Sequence, residues 1–452
     1  MISMRDILVL LFCMILGINS AFAYELVLPK EKKSIVDTNY AFFVGKAGNN
    51  ETIVLNDEKV YVAPNGAFAH TIKLKEGENR IVLRSNYKTQ VYKFYRNKKE
   101  QKYKPELVEF ESQLYKVKDD NIPLRSTPEN FGMNRISHLF KGTNIVVNGE
   151  KNGFYRVFLS KDKIAWIDKE KVCKSESLEN LPKFLGMNSK TFKNASVHTI
   201  EFTEKLPYTI EETDKEIIFK VYNPLVSNNS VYTVNIEKPK KYTYKTNLSF
   251  GNYQFKVNKL PVPEIQTLDG LTIVVDAGHG GSEKGAIGCL GDNEKDINLS
   301  IAQELKDILC QMGATVVMTR ECDGTISLEE RVKLAQDNNS NIFVSVHLNS
   351  IPDTCFNLHK HKGTSVYYYN KNSKQLAESV QESVVKGLGT RKEGVKTASF
   401  AVLRPTDYVG ILVEVAYMTN PNDSVLYRTE SFPRESAKAI ADGILEYVNS
   451  SF

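Results

Sequence analysis

The spacing of apolar and polar residues changes at about residue 270 of this chain. Before that point, short stretches of alternating apolar and polar residues are separated by turn residues, which predicts antiparallel β-strands. From 271 onward, β-branched apolar runs alternate with stretches of helical period, such as 296–311 and 434–449. This alternation predicts a mostly parallel sheet with helices on both faces. We therefore expect a multidomain protein, with N-terminal all-β modules followed by an α/β domain.

Turn residues divide the β-rich part into three segments. Residues 34–102 show short strands at the spacing of a β-sandwich. Residues 106–173 hold five further short runs, including the only tryptophan, Trp166, which we expect in a core. Residues 180–262 alternate in the manner of another antiparallel sheet. In order, these segments resemble immunoglobulin-like modules, bacterial SH3-like barrels and AMIN-like modules, and prolines near 261 predict a stiff link into the α/β domain at 270–452.

Residues 1–23 predict a secretory signal peptide. Arg5 lies in a short polar start, an apolar run follows from 7 to 18, and 21–23 form a small-x-small cleavage pattern. The apolar run is too short to span a bilayer, and a retained anchor is the alternative. We expect an exported protein of the periplasm or the cell wall and extracellular space, without stable membrane insertion after signal cleavage.

The composition narrows the classes of partner. A formal net charge of +5 over 452 residues is compatible with an anionic polymer such as a bacterial wall, but it is too small to indicate nucleic acid. Beyond Cys13 of the signal, five cysteines remain: Cys173, Cys289, Cys310, Cys322 and Cys355. Their odd number and the lack of any C-x-x-C pair predict neither a disulfide framework nor a cysteine metal site.

Candidate chemistry follows the apolar runs of the α/β domain. His279 comes after a strand-like run within a glycine-flanked turn, and His347 and Glu414 end two later runs. Glu294 lies at the start of an amphipathic helix. A lone histidine such as His279 is equally compatible with a structural role. Two histidines and one carboxylate, however, form a catalytic type of zinc site that leaves a position for water, whose proton a second carboxylate could take.

These residues lie in sequence blocks that resemble zinc-dependent N-acetylmuramoyl-L-alanine amidases, the amidase-3 type of cell-wall hydrolase. The blocks, within 272–450, are 275–281, 285–288, 294 with 298–299, 313–320, 327–331, 345–349, and 412–414 followed by 419–420. The resemblance implies that His279, Glu294 and His347 hold Zn²⁺ and that Glu414 is the catalytic acid/base. It also implies peptidoglycan as substrate, cut between the lactyl group of muramic acid and the first alanine of the stem peptide.

The chain departs from the family pattern at two places and lacks one known insertion. Val409 stands where the family usually has proline, and residues 415–417 replace its usual glycine-aromatic pair. Some relatives carry a long helical plug between the second histidine and the catalytic glutamate. Here that interval is short, so we expect an open site that needs no obligatory activator. Arg404 is a candidate substrate contact or, equally, part of a surface salt bridge.

Alternatives remain for the whole protein and for one residue pair. The chain is compatible with a non-catalytic peptidoglycan-binding envelope protein, in which only the β modules act. It is also compatible with a zinc peptidase that cuts between wall peptides. His359 and His361 form either a stray metal pair or a solvated basic loop, and we favour the loop.

Overall fold

The computed structural model describes residues 24–98, 105–175, 181–226, 230–264, 266–351 and 361–450. The predicted signal peptide, Cys355 and His359 lie outside these ranges. Within them, none of the helices combines the length and apolarity that crossing a bilayer requires. The other four cysteines of the predicted mature chain are free thiols.

The first β segment forms two sheets around one apolar core. Its strands are β1 (Glu25–Leu28), β2 (Lys33–Val36), β3 (Tyr40–Lys46), β4 (Ile53–Leu55), β5 (Glu58–Val60), β6 (Ala67–Lys73), β7 (Gly77–Arg84) and β8 (Thr89–Arg96). One sheet has the order β1-β3-β6 and the other β2-β8-β7-β4-β5. Phe43 and Phe68 pack with Tyr92 and Phe94 between them. The immunoglobulin-like assignment of this segment stays a prediction.

The next two segments share a single hydrophobic core. The second segment is a seven-stranded sheet of β9 (Val108–Val117), β10 (Ile122–Arg125), β11 (Arg135–Leu139), β12 (Asn144–Lys151), β13 (Phe154–Ser160), β14 (Lys163–Asp168) and β15 (Val172–Lys174). The third contains β16 (Phe184–Thr191), β17 (Ala195–Phe202), β18 (Tyr208–Glu212), β19 (Glu216–Asn223), β20 (Ser230–Glu237), β21 (Tyr242–Ser249) and β22 (Asn252–Lys259), in two sheets. Leu139 and Ile167 of the second segment belong to the same buried cluster as Phe219 and Tyr253 of the third. Trp166 is buried, as expected.

The α/β domain carries the strand and helix alternation that its sequence predicts. Its elements are β23 (Thr272–Ala277), α1 (Glu294–Gln311), β24 (Thr315–Met318), α2 (Leu328–Asp337), β25 (Ile342–Asn349), β26 (Thr364–Tyr368), α3 (Lys374–Leu388), β27 (Lys392–Thr397), β28 (Val409–Tyr417), α4 (Pro421–Tyr427) and α5 (Phe432–Asn449). The sheet order is β24-β23-β25-β28-β26-β27, and every neighbouring pair is parallel except β28 with β26.

Alternate residues of the central strands point to opposite faces of this sheet. On one face, Ile273 packs in a core with Leu305 of α1, Val380 of α3 and Ile440 of α5. On the other face, Val274 packs in a separate cluster with Ala335 of α2. Helices therefore cover both faces, which confirms the predicted architecture of this domain.

The first β segment packs against the α/β domain near the carboxyl ends of its strands. Val44 and Ala69 share an apolar cluster with Ile351 and Tyr417. The Tyr61 hydroxyl donates to Asn422 Oδ1 at 2.8 Å. This contact places a β module beside the edge of the sheet at which parallel strands present their sites.

Candidate metal centre

Three predicted ligands converge beyond the carboxyl edge of the central strands. His279 follows β23 by two residues, Glu294 is the first residue of α1, and His347 lies near the end of β25. Glu294 Oε2 lies 3.2 Å from His279 Nε2, and Glu294 Oε1 lies 2.9 Å from His347 Nδ1. One ligand atom from each residue falls within 4.8 Å of the others. The arrangement is a compact His–Glu–His group.

Backbone contacts hold the Glu294 carboxylate at the centre of the group. Its Oε2 accepts a hydrogen bond from the Ala286 N–H at 2.8 Å, and its Oε1 accepts one from the Leu348 N–H at 3.3 Å. The Asn298 amide donates to the same Oε1 at 3.3 Å and to the Gly278 carbonyl at 3.2 Å. These donors offset the cost of burying a carboxylate, which is only 3% exposed.

Two buried arginines hold the backbone that carries His279, which has a left-handed φ of 60°. Arg331 Nη2 donates to the His279 carbonyl at 2.8 Å, and Arg320 Nη2 donates to the Gly278 carbonyl at 3.0 Å. Both guanidinium groups also donate to the Ala277 carbonyl. The histidine turn is thus fixed from two directions, in a conformation that costs a non-glycine residue free energy.

Arg331 in turn forms an ion pair with Asp276, and both side chains are almost fully buried. The Asp276 carboxylate also accepts hydrogen bonds from the Thr319 hydroxyl at 2.8 Å and the Ser345 hydroxyl at 2.6 Å. The sequence analysis gave no role to Arg320 or Arg331. The available signal was Asp276 itself, a carboxylate at the end of an apolar run, which requires a buried cation or several donors.

The position of Gly278 requires the absence of a side chain. A Cβ atom built on it would overlap the imidazole ring of His347. The two histidine rings lie 4.9 Å apart, centre to centre, at an angle of 78°. Gly278 therefore leaves room for the His347 ring beside the backbone that follows β23, as the ligand group requires.

Glu414 lies beside this group, on β28 in register with His347 of β25. Its Oε2 is buried and, among the described residues, has no hydrogen-bond partner. Burial raises the pKa of Glu414 to about 7, with nearby His347 opposing and nearby Glu294 adding to the rise. Such a carboxyl group exchanges a proton near neutral pH, as a general acid or base requires.

Contacts within the His–Glu–His group shift the pKa values of its members. Burial alone would raise the pKa of Glu294, but the hydrogen bonds with His279 and His347 outweigh it and hold that pKa well below its usual range. Burial alone would lower the pKa of His347, yet its contact with Glu294 raises it. The pocket is therefore built around one negative charge that favours a positive partner.

The donor set fits zinc. Zinc takes histidine nitrogen and carboxylate oxygen ligands at about 2.0–2.2 Å, so tetrahedral ligands are separated by roughly 3.3 Å. In this structure one ligand atom from each of the three residues lies within 4.8 Å of the others, so the three donors can face one ion. Three protein ligands leave one position for water or substrate, as in catalytic rather than structural zinc sites.

Two other sequence candidates lie elsewhere or stay open. Arg404 follows a 3₁₀ turn at Ala401–Leu403, ahead of β28, and its guanidinium donates to Ser399 Oγ at 3.0 Å and Ser399 O at 2.7 Å. None of the salt bridges between described residues includes Arg404. The ring of His361 lies 6.3 Å from that of Tyr417. His359 lies outside the described residues, so a metal pair of His359 and His361 is not tested.

Comparison with known proteins decides the family. The family model Amidase_3, described as N-acetylmuramoyl-L-alanine amidase, matches residues 273–446. YqiI, an uncharacterized protein of Bacillus subtilis (strain 168), is 37% identical over 40% of this chain and 87% of its own length. The germination-specific N-acetylmuramoyl-L-alanine amidase of the same organism is 30% identical over 43% of this chain and 87% of its own length. The chain belongs to the N-acetylmuramoyl-L-alanine amidase family.

The family match is confined to the α/β domain. Against the amidase LytC of Bacillus subtilis (strain 168), the identity is 38% over 39% of this chain, but only 36% of LytC is covered. The β-rich segments before residue 273 lie outside the family match. Similarity to amidases therefore concerns the domain that holds the His–Glu–His group.

The buried ion pair gives a stability prediction. Replacing Arg331 with Met leaves the Asp276 charge unpaired in the interior, so we expect a loss of about 3–5 kcal/mol in the free energy of unfolding, measured with denaturant. Adding Asp276→Asn to Arg331→Met removes that charge and should recover part of the loss. Arg434→Met, at a side chain that is 78% exposed, is the control and should change stability by less than about 0.5 kcal/mol. A loss below about 1 kcal/mol for Arg331→Met would contradict the role of the pair.

Proposed function

We propose that this protein is a zinc-dependent amidase that cuts peptidoglycan between N-acetylmuramic acid and L-alanine, for wall remodelling or daughter-cell separation. The observation that carries the proposal is the His279–Glu294–His347 group beside Glu414, whose pKa is raised toward neutrality. Membership of the amidase family supports the substrate, because the matched region contains all four residues. Neither the ligand group nor Glu414 is needed by a protein that only binds the wall.

His279, Glu294 and His347 would hold the zinc ion. When bound, zinc supplies Lewis acidity toward the scissile carbonyl and acidifies water toward a pKa of about 7. The residues of the chain do the rest. The buried and unpartnered Oε2 of Glu414 receives the proton of the attacking water and returns it to the nitrogen of the departing amine.

The surroundings of Glu414 suit both directions of this proton transfer. Burial in the sheet favours its neutral form, while nearby His347 and Lys396 favour its charged form. The balance leaves the group able to accept a proton and to release it near pH 7. A carboxyl group with an ordinary pKa would be a poor proton donor to an amine.

The remaining parts of the proposal concern location and partners. The signal at residues 1–23 would direct the chain to the periplasm or the cell wall and extracellular space, where peptidoglycan is the partner. The second and third β segments would either contact that polymer or act as spacers. We propose that the site acts without an activator protein, because the interval between His347 and Glu414 is too short for the helical plug of some relatives.

A digest of peptidoglycan tests the bond that is cut. The purified mature chain, without any added partner, should release free stem peptides that begin with L-alanine, detected by mass spectrometry. A chelator should abolish this release, and added zinc should restore it. Cut cross-links with stems still attached to glycan would instead indicate a wall peptidase. Intact polymer in the presence of zinc would indicate a wall-binding protein or a need for an activator.

Replacing Glu414 with Gln tests the proton-transfer role. The amide cannot take the water's proton, so we expect kcat to fall by about 10²–10⁴-fold. Zinc content, measured by elemental analysis, should stay at the level of the unchanged protein, because Glu414 is not among the three ligands. Glu321→Gln, at an exposed carboxylate paired with Lys306, is the matched control and should leave kcat unchanged. Full activity of Glu414→Gln would refute the assignment.

The pH dependence of kcat/KM follows from the raised pKa of Glu414. The base acts as a carboxylate, so activity should fall as pH drops through the pKa of this group and level off above it. That pKa is raised from 4.5 to about 7, and a bound cation favours the carboxylate, so the midpoint is expected between these two values. Zinc content is measured at each pH, because protonated histidines release metal. A flat profile from pH 4 to 8 at constant zinc content would contradict the role.

A further inference from the structure

A group of basic residues lies where the second β segment meets the α/β domain. Arg125 is in β10, and Arg135 and His138 are in β11. Arg404 of the α/β domain lies near enough that, after burial and Arg135, it lowers the pKa of His138. Together these four residues are called the arginine cluster below.

Contacts place Arg135 beside His138 and place Arg404 beside the turn that precedes β11. Arg135 Nη1 lies 3.4 Å from His138 Nε2. Arg404 Nε donates to Ser399 Oγ at 3.0 Å, and a Cβ atom built on Gly132 would overlap the Ser399 side chain. The turn that leads into β11 therefore rests directly on the residue that orients Arg404.

The members of the cluster differ in how fully their donors are used. Arg125 is 6% exposed and donates to Phe131 O at 3.0 Å, Asn134 Oδ1 at 2.9 Å and Asn130 Oδ1 at 2.9 Å. Arg125 is thus occupied in holding its own turn. Arg135, by contrast, has a buried Nε without a hydrogen-bond partner among the described residues.

The positive charge of the cluster is only partly compensated, by the Asp168 carboxylate near Arg125. None of the three arginines of the cluster forms a salt bridge between described residues. The arginines that do so are Arg84, Arg156, Arg331, Arg391, Arg428 and Arg434. Burial and, after it, the proximity of Arg135 lower the pKa of Arg404. Burial and the three arginines lower the pKa of His138 to about 4, so this histidine is neutral at pH 7. Half-buried like charges that outnumber their counterions destabilise a protein unless a further anion joins them.

We propose that Arg135 and Arg404 form an oxoanion-binding site between the second β segment and the α/β domain, which takes a phosphate or a carboxylate group. A guanidinium group presents a planar fork of donors that matches both oxoanions. Arg125 adds positive potential from behind. Neutral His138 accepts from Arg135 through Nε2 and so orients its guanidinium group.

This site is distinct from the metal centre. β26 runs antiparallel to β28, with Ser365 opposite Glu414 and Tyr367 opposite Leu412. Tyr369 therefore lies toward the start of β28. Burial raises the pKa of Tyr369, and nearby Arg135 and Arg404 oppose the rise. Arg404 precedes that strand. The arginine cluster thus lies at the opposite edge of the sheet from the His–Glu–His group, and an anion bound there would join two segments of the chain.

Calorimetric titration of the full mature chain at low ionic strength tests the proposal. The two probes are inorganic phosphate and the dipeptide L-alanyl-D-glutamate. Thermal unfolding with each probe, compared with sodium chloride of equal ionic strength, gives a second readout. Binding of phosphate alone would point to a phosphate source, and tighter binding of the dipeptide would point to carboxylates of wall peptides. Either result supports an oxoanion site, provided that it depends on the cluster.

Variants establish that dependence. Arg404→Gln and Arg135→Gln should each weaken binding by about tenfold and reduce the anion-dependent rise in Tm. Arg404→Lys, which keeps the charge but not the fork, should fall between these variants and the unchanged protein. Arg434→Gln is the control and should bind as the unchanged protein does. Absence of binding by both probes, or binding that neither glutamine variant weakens, would overturn the proposal. Because two separate arginines are tested, misfolding of one variant leaves the other decisive.

Discussion

The candidate metal centre depends on one buried ion pair. Asp276 ends the apolar run of β23 inside the sheet, where its charge is tolerable only with Arg331 and two hydroxyl donors around it. The same guanidinium group donates to the carbonyl of His279, so Arg331 both neutralises the Asp276 charge and fixes the turn that carries His279. A residue that is distant in sequence thereby keeps a histidine in a backbone conformation that it would not adopt unaided.

The sheet supplies the second constraint. Parallel strands end at the same edge, so β25 and β28 bring His347 and Glu414 to one place, and the turn that follows β23 adds His279. Glu294 enters from the start of α1, and burial would raise its pKa, but its hydrogen bonds with His279 and His347 keep that pKa low. Glu414 has no such donors in the described structure and is correspondingly easier to protonate. Two glutamates in one pocket therefore differ in charge state because their hydrogen-bond partners differ.

Sequence reasoning placed His279, His347 and Glu414 together because apolar runs end where parallel strands end, and the resemblance to amidases implied Glu294 as the third ligand. It missed Arg320 and Arg331, since an arginine in a polar stretch looks like a surface residue until its carboxylate partner is placed in space. It missed β27, because Lys392–Thr397 contains one large apolar residue and becomes a strand through pairing with β26. The boundary placed near residue 175 follows turn composition, which carries no information about packing across it.

The shared core across that boundary limits how this part of the chain could be exchanged between proteins in evolution. The second and third β segments close one another's apolar faces, with Leu139 and Ile167 on one side and Phe219 and Tyr253 on the other. Either segment alone would expose a large apolar surface to water. The second and third β segments therefore form one structural unit. Recombination that transfers this part of the chain to another protein would have to include both segments.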